Sequence, residues 1–396
     1  MKGYYRIATV LLSILMLLTA CQTGDKLVGN NSESSGETAS IITDDIPTLE
    51  TASEPLLEPD SSSNPKSESV SEPDYEADTH NDWQFDVPEN HGFDSASLEQ
   101  LHIALESTEI HSAVTVCDGV IIDEYYENGY DENSVFRLNS VSKSFTSALV
   151  GIAIDEGKIS GIDVKLSDYL PQAVGTDKAD ITLRDLLTHT GGFEWYEWGG
   201  GYSNFMEWQE SENWLEYILG REMVTEPGVT FNYTTGGTHL LTAALQNAVG
   251  ESVFDYGKER IFEPMGMDSV EWRTDEQGIV DGGNGISMTS RDAAKFGQMF
   301  LQDGKWNDVQ IVPQSWVEQS TGLQYERPGY DSYGYQWWLR NLSGYDTYFA
   351  MGAFGQFIFV TPELDLVTVM TSTQRDNTYL PRDYFRDYVL TATITG

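Results

Sequence analysis

Along this chain, polar and apolar residues divide the sequence into stretches of different character before any motif is sought. Lys2 and Arg6 precede an apolar run from Ile7 to Ala20, too short to span a bilayer comfortably and laid out like a secretory signal. From Gln22 to about Asn90 large apolar residues become sparse, and Ser, Thr, Glu, Asp and Pro dominate; a stretch this poor in apolar surface cannot offset the entropy of folding. Periodicity begins near Trp83 to Phe93. Leu98, Leu101 and Leu105, entered through Asp94-Ser95-Ala96-Ser97, predict a capped amphipathic helix. Ala113 to Cys117 and Val120 to Tyr126 predict two strands joined by Asp118-Gly119, a strong two-residue hairpin signal. Val141, Phe145, Leu149 and Ile152 then recur at helical spacing until Gly157, and the helix they form should be buried.

Between Gly161 and about Gly283 the pattern is helical with loops, the clearest element being Thr238 to Val249, stopped by Gly250. Strand patterns return at Thr347 to Met351, Gln356 to Val360 and Leu366 to Thr371, with 361–365 a turn between the last two. A closing helix is expected near Arg382 to Thr391. The fold class is therefore α/β: an antiparallel sheet built from both ends of the chain and flanked by helices, with a mostly helical insertion at about 161–283. Residues 1–20 read as a signal peptide, 21–85 as a tether and 86–396 as the folded domain.

Composition agrees with a large core over that last span, since 40% of residues are hydrophobic and Trp, Tyr and Phe number 10, 21 and 16. The net charge of -41, from 63 acids against 22 bases, should repel nucleic acid and bare anionic membranes. Residues 22–90 hold 17 acids and two bases, a balance of -15, so proline and self-repulsion should extend the tether. Only two cysteines are present, which excludes a disulfide framework. Leu18-Thr19-Ala20-Cys21 resembles the bacterial lipobox, in which the cysteine is lipidated and becomes the mature N-terminus. That resemblance implies a protein held on the outer face of the cytoplasmic membrane, or in the cell envelope, by lipid chains on Cys21 without spanning the bilayer.

The chemistry gathers at Ser140. Ser140 and Lys143 are three residues apart, so on a helix the amine lies about one turn from the hydroxyl and on the same face. A serine hydroxyl becomes a competent nucleophile when a neighbouring base takes its proton, and a desolvated lysine can be that base. The buried helix would add its positive end. Ser63 and Lys66 repeat the spacing, but inside the tether and with Pro65 between them, where a helical turn is disfavoured.

The Ser-x-x-Lys pattern marks penicillin-binding proteins and serine β-lactamases. Over roughly 112–375 the chain resembles the β-lactamase-related serine hydrolases: class C β-lactamases, DD-peptidases and similar esterases and amidases. The matching stretches are 136–145 around Ser140, Ile181 to Phe193 with Thr188-His189-Thr190-Gly191-Gly192, Pro227 to Tyr233, Met288 to Gly297, and Gly352-Ala353-Phe354-Gly355-Gln356. The resemblance implies a β-lactamase/transpeptidase-like fold and a tyrosine acting with the lysine. Tyr233-Thr234-Thr235 precedes the Leu240-Leu241 helix, as the family's tyrosine does, whereas Tyr202-Ser203-Asn204 fits the letters of Tyr-x-Asn in a glycine-rich loop; Tyr233 is the expected partner and Tyr202 a rim residue. Thr235 stands where asparagine is usual, which removes an amide that would orient Lys143 or a substrate carbonyl; Thr235 still offers one hydroxyl and is placed among the substrate-binding residues. Ala353 stands where Lys or His is usual, which makes β-lactam turnover less favoured. The backbone amides of Ser140 and Gln356 would form the oxyanion hole, with Gly355 permitting close approach of substrate.

The segment from Glu194 through Trp208, with Trp195, reads either as a lid over an apolar or cationic substrate or as packing of the inserted helices. Asn284 would border the cleft, and His189 is expected to be a structural hydrogen-bonding residue. No metal-binding or dinucleotide motif occurs, and no cofactor is expected; Gly-x-Ser-x-Gly is also absent. The expected activity is hydrolysis of a small ester, amide or peptide through an acyl-enzyme. The alternatives are a DD-peptidase or β-lactamase, and a non-catalytic cell-wall binding or sensor protein. Oligomeric state is not legible in the sequence.

Overall fold

The structure is a computed structural model that describes residues 83–197 and 203–394. Among the described residues, seven strands form one antiparallel sheet. Its first hairpin is β1 (Ile110–Cys117) and β2 (Val120–Tyr126), closed by Asp118 and Gly119 at φ 51° and 80°; the left-handed pair matches the right-handed twist of the strands. A second, smaller sheet contains β3 (Val135–Asn139), β4 (Glu271–Trp272) and β5 (Ile286–Thr289), in the order β3-β5-β4. The large sheet is completed by β6 (Ser332–Tyr333), β7 (Trp338–Leu342), β8 (Tyr345–Gly352), β9 (Gln356–Thr361) and β10 (Leu366–Ser372). Its order is β2-β1-β10-β9-β8-β7-β6, so the last of the described strands pairs with the first of them, Cys117 opposite Leu366. The sheet is built from both ends of the chain, as the strand patterns predict.

Helices cover both faces. On one, Val114, Val116, Ile358, Val360, Val367 and Val369 join a core with α2 (Ser142–Asp155), α3 (Thr235–Val249) and α4 (Ser290–Leu301). A Cβ on Gly297 of α4 would sit 2.6 Å from Val367, so glycine lets this helix lie close on the sheet. On the other face, Ala113, Cys117, Phe357, Phe359 and Met370 pack with Leu98, Leu101 and Leu105 of α1 (Ser95–Leu105) and with Phe385 and Val389. Burial on both faces explains why β1, β9 and β10 carry apolar residues at neighbouring positions, with buried Ser and Thr among them, and not a strict apolar-polar alternation. Each such aliphatic side chain contributes about 1.5–3 kcal/mol by leaving water.

Two expectations change. The small sheet is not legible in the sequence, since β4 and β5 have two and four residues, too few for a period-two pattern to emerge. The closing helix is broken: α5 (Leu380–Tyr384) runs into a π-helical turn at Phe385–Val389 and a 3-10 turn at Leu390–Ala392. No helix among the described residues is long and apolar enough to cross a membrane.

Candidate active site

The site is built where β3 turns into α2. Asn139 takes a left-handed conformation at φ 50°, which asparagine tolerates better than most residues, and its side-chain amide donates to the Ala353 carbonyl at 2.9 Å. Ser142 secures the same corner, donating to the Asn139 carbonyl at 2.6 Å and accepting from the Ile286 amide at 3.0 Å. The Lys143 amide donates to the Ser140 carbonyl at 3.1 Å, so both residues lie in one turn. Across that turn the Lys143 ammonium nitrogen, Nζ, is 3.1 Å from Ser140 Oγ, 2.9 Å from Thr235 Oγ1 and 2.8 Å from the Gly283 carbonyl. Ser140 is half-buried, whereas Lys143 is 1% exposed. Burial disfavours the charged amine and brings its pKa down to about 8, against the opposing pull of the Glu197 and Asp281 carboxylates.

Tyr233 approaches from the segment that caps α3. Its ring lies under Lys143 Nζ at 4.8 Å and stacks on Trp338, and Ser140 is close enough to its hydroxyl to lower the phenol's pKa against the larger effect of burial. Burial, reinforced by the Glu197 charge, raises its pKa well above the ordinary phenol range, so Tyr233 is neutral where Lys143 titrates. His189 supports this segment from behind. The Thr234 amide donates to its Nδ1 at 3.3 Å, which places the ring proton on Nε2, facing the Tyr333 hydroxyl at 3.0 Å. Fully buried and held well below the usual imidazole pKa, His189 is the structural hydrogen-bonding residue the sequence suggests.

The β8–β9 hairpin closes the opposite side. A Cβ on Gly352 would stand 3.1 Å from the Ser140 nitrogen, so the two backbones meet there. Phe354 and Gly355 turn the hairpin at φ 66° and 89°, and a Cβ on Gly355 would meet Pro381 at 2.9 Å. The Gln356 side chain is tied to Ser372 of β10, its amide nitrogen donating to the carbonyl and its oxygen accepting from the amide nitrogen.

Two sequence-based assignments move. Trp195 is not an exposed lid residue but follows the packing alternative: it is 3% exposed and packs against Phe193, Trp208 and the α3 backbone at Gly236. Thr235 does not face a substrate, because it is fully buried behind Lys143. Asn284, 6% exposed, lies beside Gly283, the residue whose carbonyl receives Lys143. Tyr202, Cys21 and the Ser63 to Lys66 repeat lie outside the described residues. The residue that sequence reasoning missed is Glu197. Its carboxylate, 6% exposed, accepts from the Trp195 indole at 2.5 Å, from the Thr235 amide at 2.9 Å and from the Thr235 hydroxyl. The signal available was only that it is one acid of an aromatic segment.

Elsewhere, ligand atoms of His91, Cys117 and Asp118 lie within 4.8 Å of one another. The two nitrogens of His91 already pair with Asp118 at 2.7 Å and Asp86 at 3.2 Å, and burial pushes the Cys117 thiol up to about 12. This is an ion-paired corner next to an inert thiol.

Comparison with known proteins agrees with this architecture. Residues 110–391 match the family described as Beta-lactamase. The 6-aminohexanoate-dimer hydrolase of Paenarthrobacter ureafaciens is 25% identical over 307 residues, covering 70% of this chain and 76% of that protein. A solved Bacillus anthracis structure described as a 6-aminohexanoate-dimer hydrolase superposes with a TM-score of 0.66 at 24% identity, over 73% of this chain and 80% of the other. The D-stereospecific amidohydrolase of a Streptomyces species gives 0.59 at 18% identity, over 74% and 98%. By its matched span and its sheet the chain belongs to the beta-lactamase family, the serine hydrolases that also include relatives of penicillin-binding proteins.

Proposed function

We propose that the protein hydrolyses a small ester or linear amide through an acyl-enzyme on Ser140. The observation that carries this is the 3.1 Å contact between an accessible serine hydroxyl and a lysine amine whose pKa burial brings down to about 8. As the Ser140 Oγ–carbon bond forms, Lys143 takes the hydroxyl proton; as the acyl–leaving group bond breaks, that proton passes to the leaving group by way of Lys143 and Tyr233. Water then attacks the acyl-enzyme by the reverse relay. Lys143 is the first base in this reading, because Tyr233 holds its proton to a far higher pH. Developing charge on the carbonyl oxygen would be met by the amides of Ser140 and Gln356.

The names of the relatives, a 6-aminohexanoate-dimer hydrolase and a D-stereospecific amidohydrolase, favour an amide. Ala353, lacking the charge usual at its position, favours a substrate that does not depend on a carboxylate there. The lipobox-like stretch ending at Cys21 supports a lipid-anchored, extracytoplasmic enzyme. The test is steady-state turnover of a p-nitrophenyl ester and a panel of linear amides, D-amino peptides and a chromogenic cephalosporin. Sustained turnover lost in a folded Ser140→Ala variant is expected. Equal turnover by that variant contradicts the reading, and a cephalosporin as the preferred substrate would replace it with a β-lactamase.

A further inference from the structure

Resting on that reading of Ser140 and Lys143, we propose that Glu197 is a positioning residue for the reaction: it accepts the hydrogen bond of the Thr235 hydroxyl and thereby aims the lone pair of neutral Lys143 at Ser140.

A neutral lysine has two N–H bonds and one lone pair, and Lys143 Nζ has three partners, Gly283 O, Thr235 Oγ1 and Ser140 Oγ. A carbonyl can only accept, so Gly283 uses one N–H. A threonine hydroxyl has one proton, and here it is donated to Glu197. Thr235 can then only accept from Lys143, which uses the second N–H. The lone pair is left for Ser140. After proton transfer the ammonium still has an acceptor for each of these two N–H bonds, and its third proton faces the new ester oxygen or the leaving group.

Glu197 is itself fixed. Its Oε2 receives both the Trp195 indole and the Thr235 amide, its backbone carbonyl accepts from the Ser203 hydroxyl at 2.7 Å, and the Trp195 ring is wedged against Gly236, where a Cβ would stand 2.7 Å away. The asparagine usual at position 235 would present a carbonyl to the lysine without assistance. Threonine is ambiguous, able to donate or accept, and the buried carboxylate removes the ambiguity. The charged and titratable groups around Lys143 are Glu197 and Asp281, the latter paired with Arg273 at 2.7 Å, together with Tyr233 and His189.

Glu197→Gln tests this at constant volume. The two N–H donors demand the amide oxygen, so the new NH2 faces Thr235, whose hydroxyl must then turn its proton onto the lone pair of Lys143. The readout is the second-order rate of Ser140 labelling by a fluorophosphonate across pH. Glu197→Gln should lower the high-pH plateau by about 10- to 100-fold and move the rising limb to lower pH, since the nearby negative charge is gone. Thr235→Ala should fall comparably, Thr235→Ser should stay within about threefold of wild type, and Glu197→Gln/Thr235→Ala should be no slower than Thr235→Ala alone. A Glu197→Gln plateau within about twofold of wild type, or single losses that multiply in the double variant, overturns the inference while leaving Ser140 as the nucleophile. If Glu197→Gln fails to fold, equal rates for Thr235→Ser and Thr235→Ala overturn it just as well. Wild-type protein that does not label at Ser140 overturns the reading on which the inference rests.

Discussion

The two sides of Lys143 differ in kind. Behind it, Thr235, Glu197, Gly283 and Trp195 are buried, and each polar group there has a partner of fixed role. In front of it, Ser140, Ala353 and Phe354 are half-buried and border open surface, held mainly by backbone contacts between the β8–β9 hairpin and the β3–α2 corner. In the proposed mechanism the closed side sets which proton moves and in which direction. The open side would set what molecule arrives, and its side chains are less buried. On that proposal chemistry and specificity are separated by the thickness of one lysine.

The sharpest way to break this division is to empty the closed side. Lys143→Met keeps the length of the side chain and removes the amine; fluorophosphonate labelling of Ser140 should slow by about 10³-fold or more, with the circular dichroism spectrum unchanged. A loss of less than about tenfold would mean that the buried side does not govern the reaction.

A smaller effect comes from pH. Burial disfavours the protonated amine and sets its pKa to about 8, so the base form is depleted below that pH and complete above it. The wild-type labelling rate should therefore rise with pH, half-maximal near 8, and stop rising beyond it. A profile flat from pH 6 to 10 would remove Lys143 as the base.

The smallest effect is expected on the open side. Ala353→Lys restores the charge usual at that position and should change turnover of a neutral p-nitrophenyl ester by no more than about twofold, while speeding an otherwise matched ester that carries a carboxylate. Equal effects on both esters would show that the rim does not select by charge.

Legibility in the sequence follows the same division only in part. The β1–β2 hairpin is readable because Asp118-Gly119 supplies two left-handed residues in succession, and α2 because its apolar residues recur over three turns. Ser140 and Lys143 are readable because their partnership is local to one helical turn. Glu197 is not, because it acts on Thr235, which lies 38 residues further on, and nothing in an acidic, aromatic loop distinguishes a carboxylate that turns inward from its neighbours. Trp195 misleads for the same reason: an aromatic residue in a glycine-flanked loop has the composition of a lid, and only the nearness of Gly236 places it in the core. Helix α3 begins at Thr235, three residues before its apolar pattern, because the Thr234 hydroxyl caps the Gly237 amide where Gly236 and Gly237 give no helical signal.

The central claim, that Ser140 is the nucleophile, is tested most directly by mass spectrometric mapping of the fluorophosphonate adduct at pH 9 on the full chain. The account predicts one adduct per molecule, on the peptide containing Ser140, absent from a folded Ser140→Ala variant. An adduct on any other residue, or one that persists in Ser140→Ala, would contradict it.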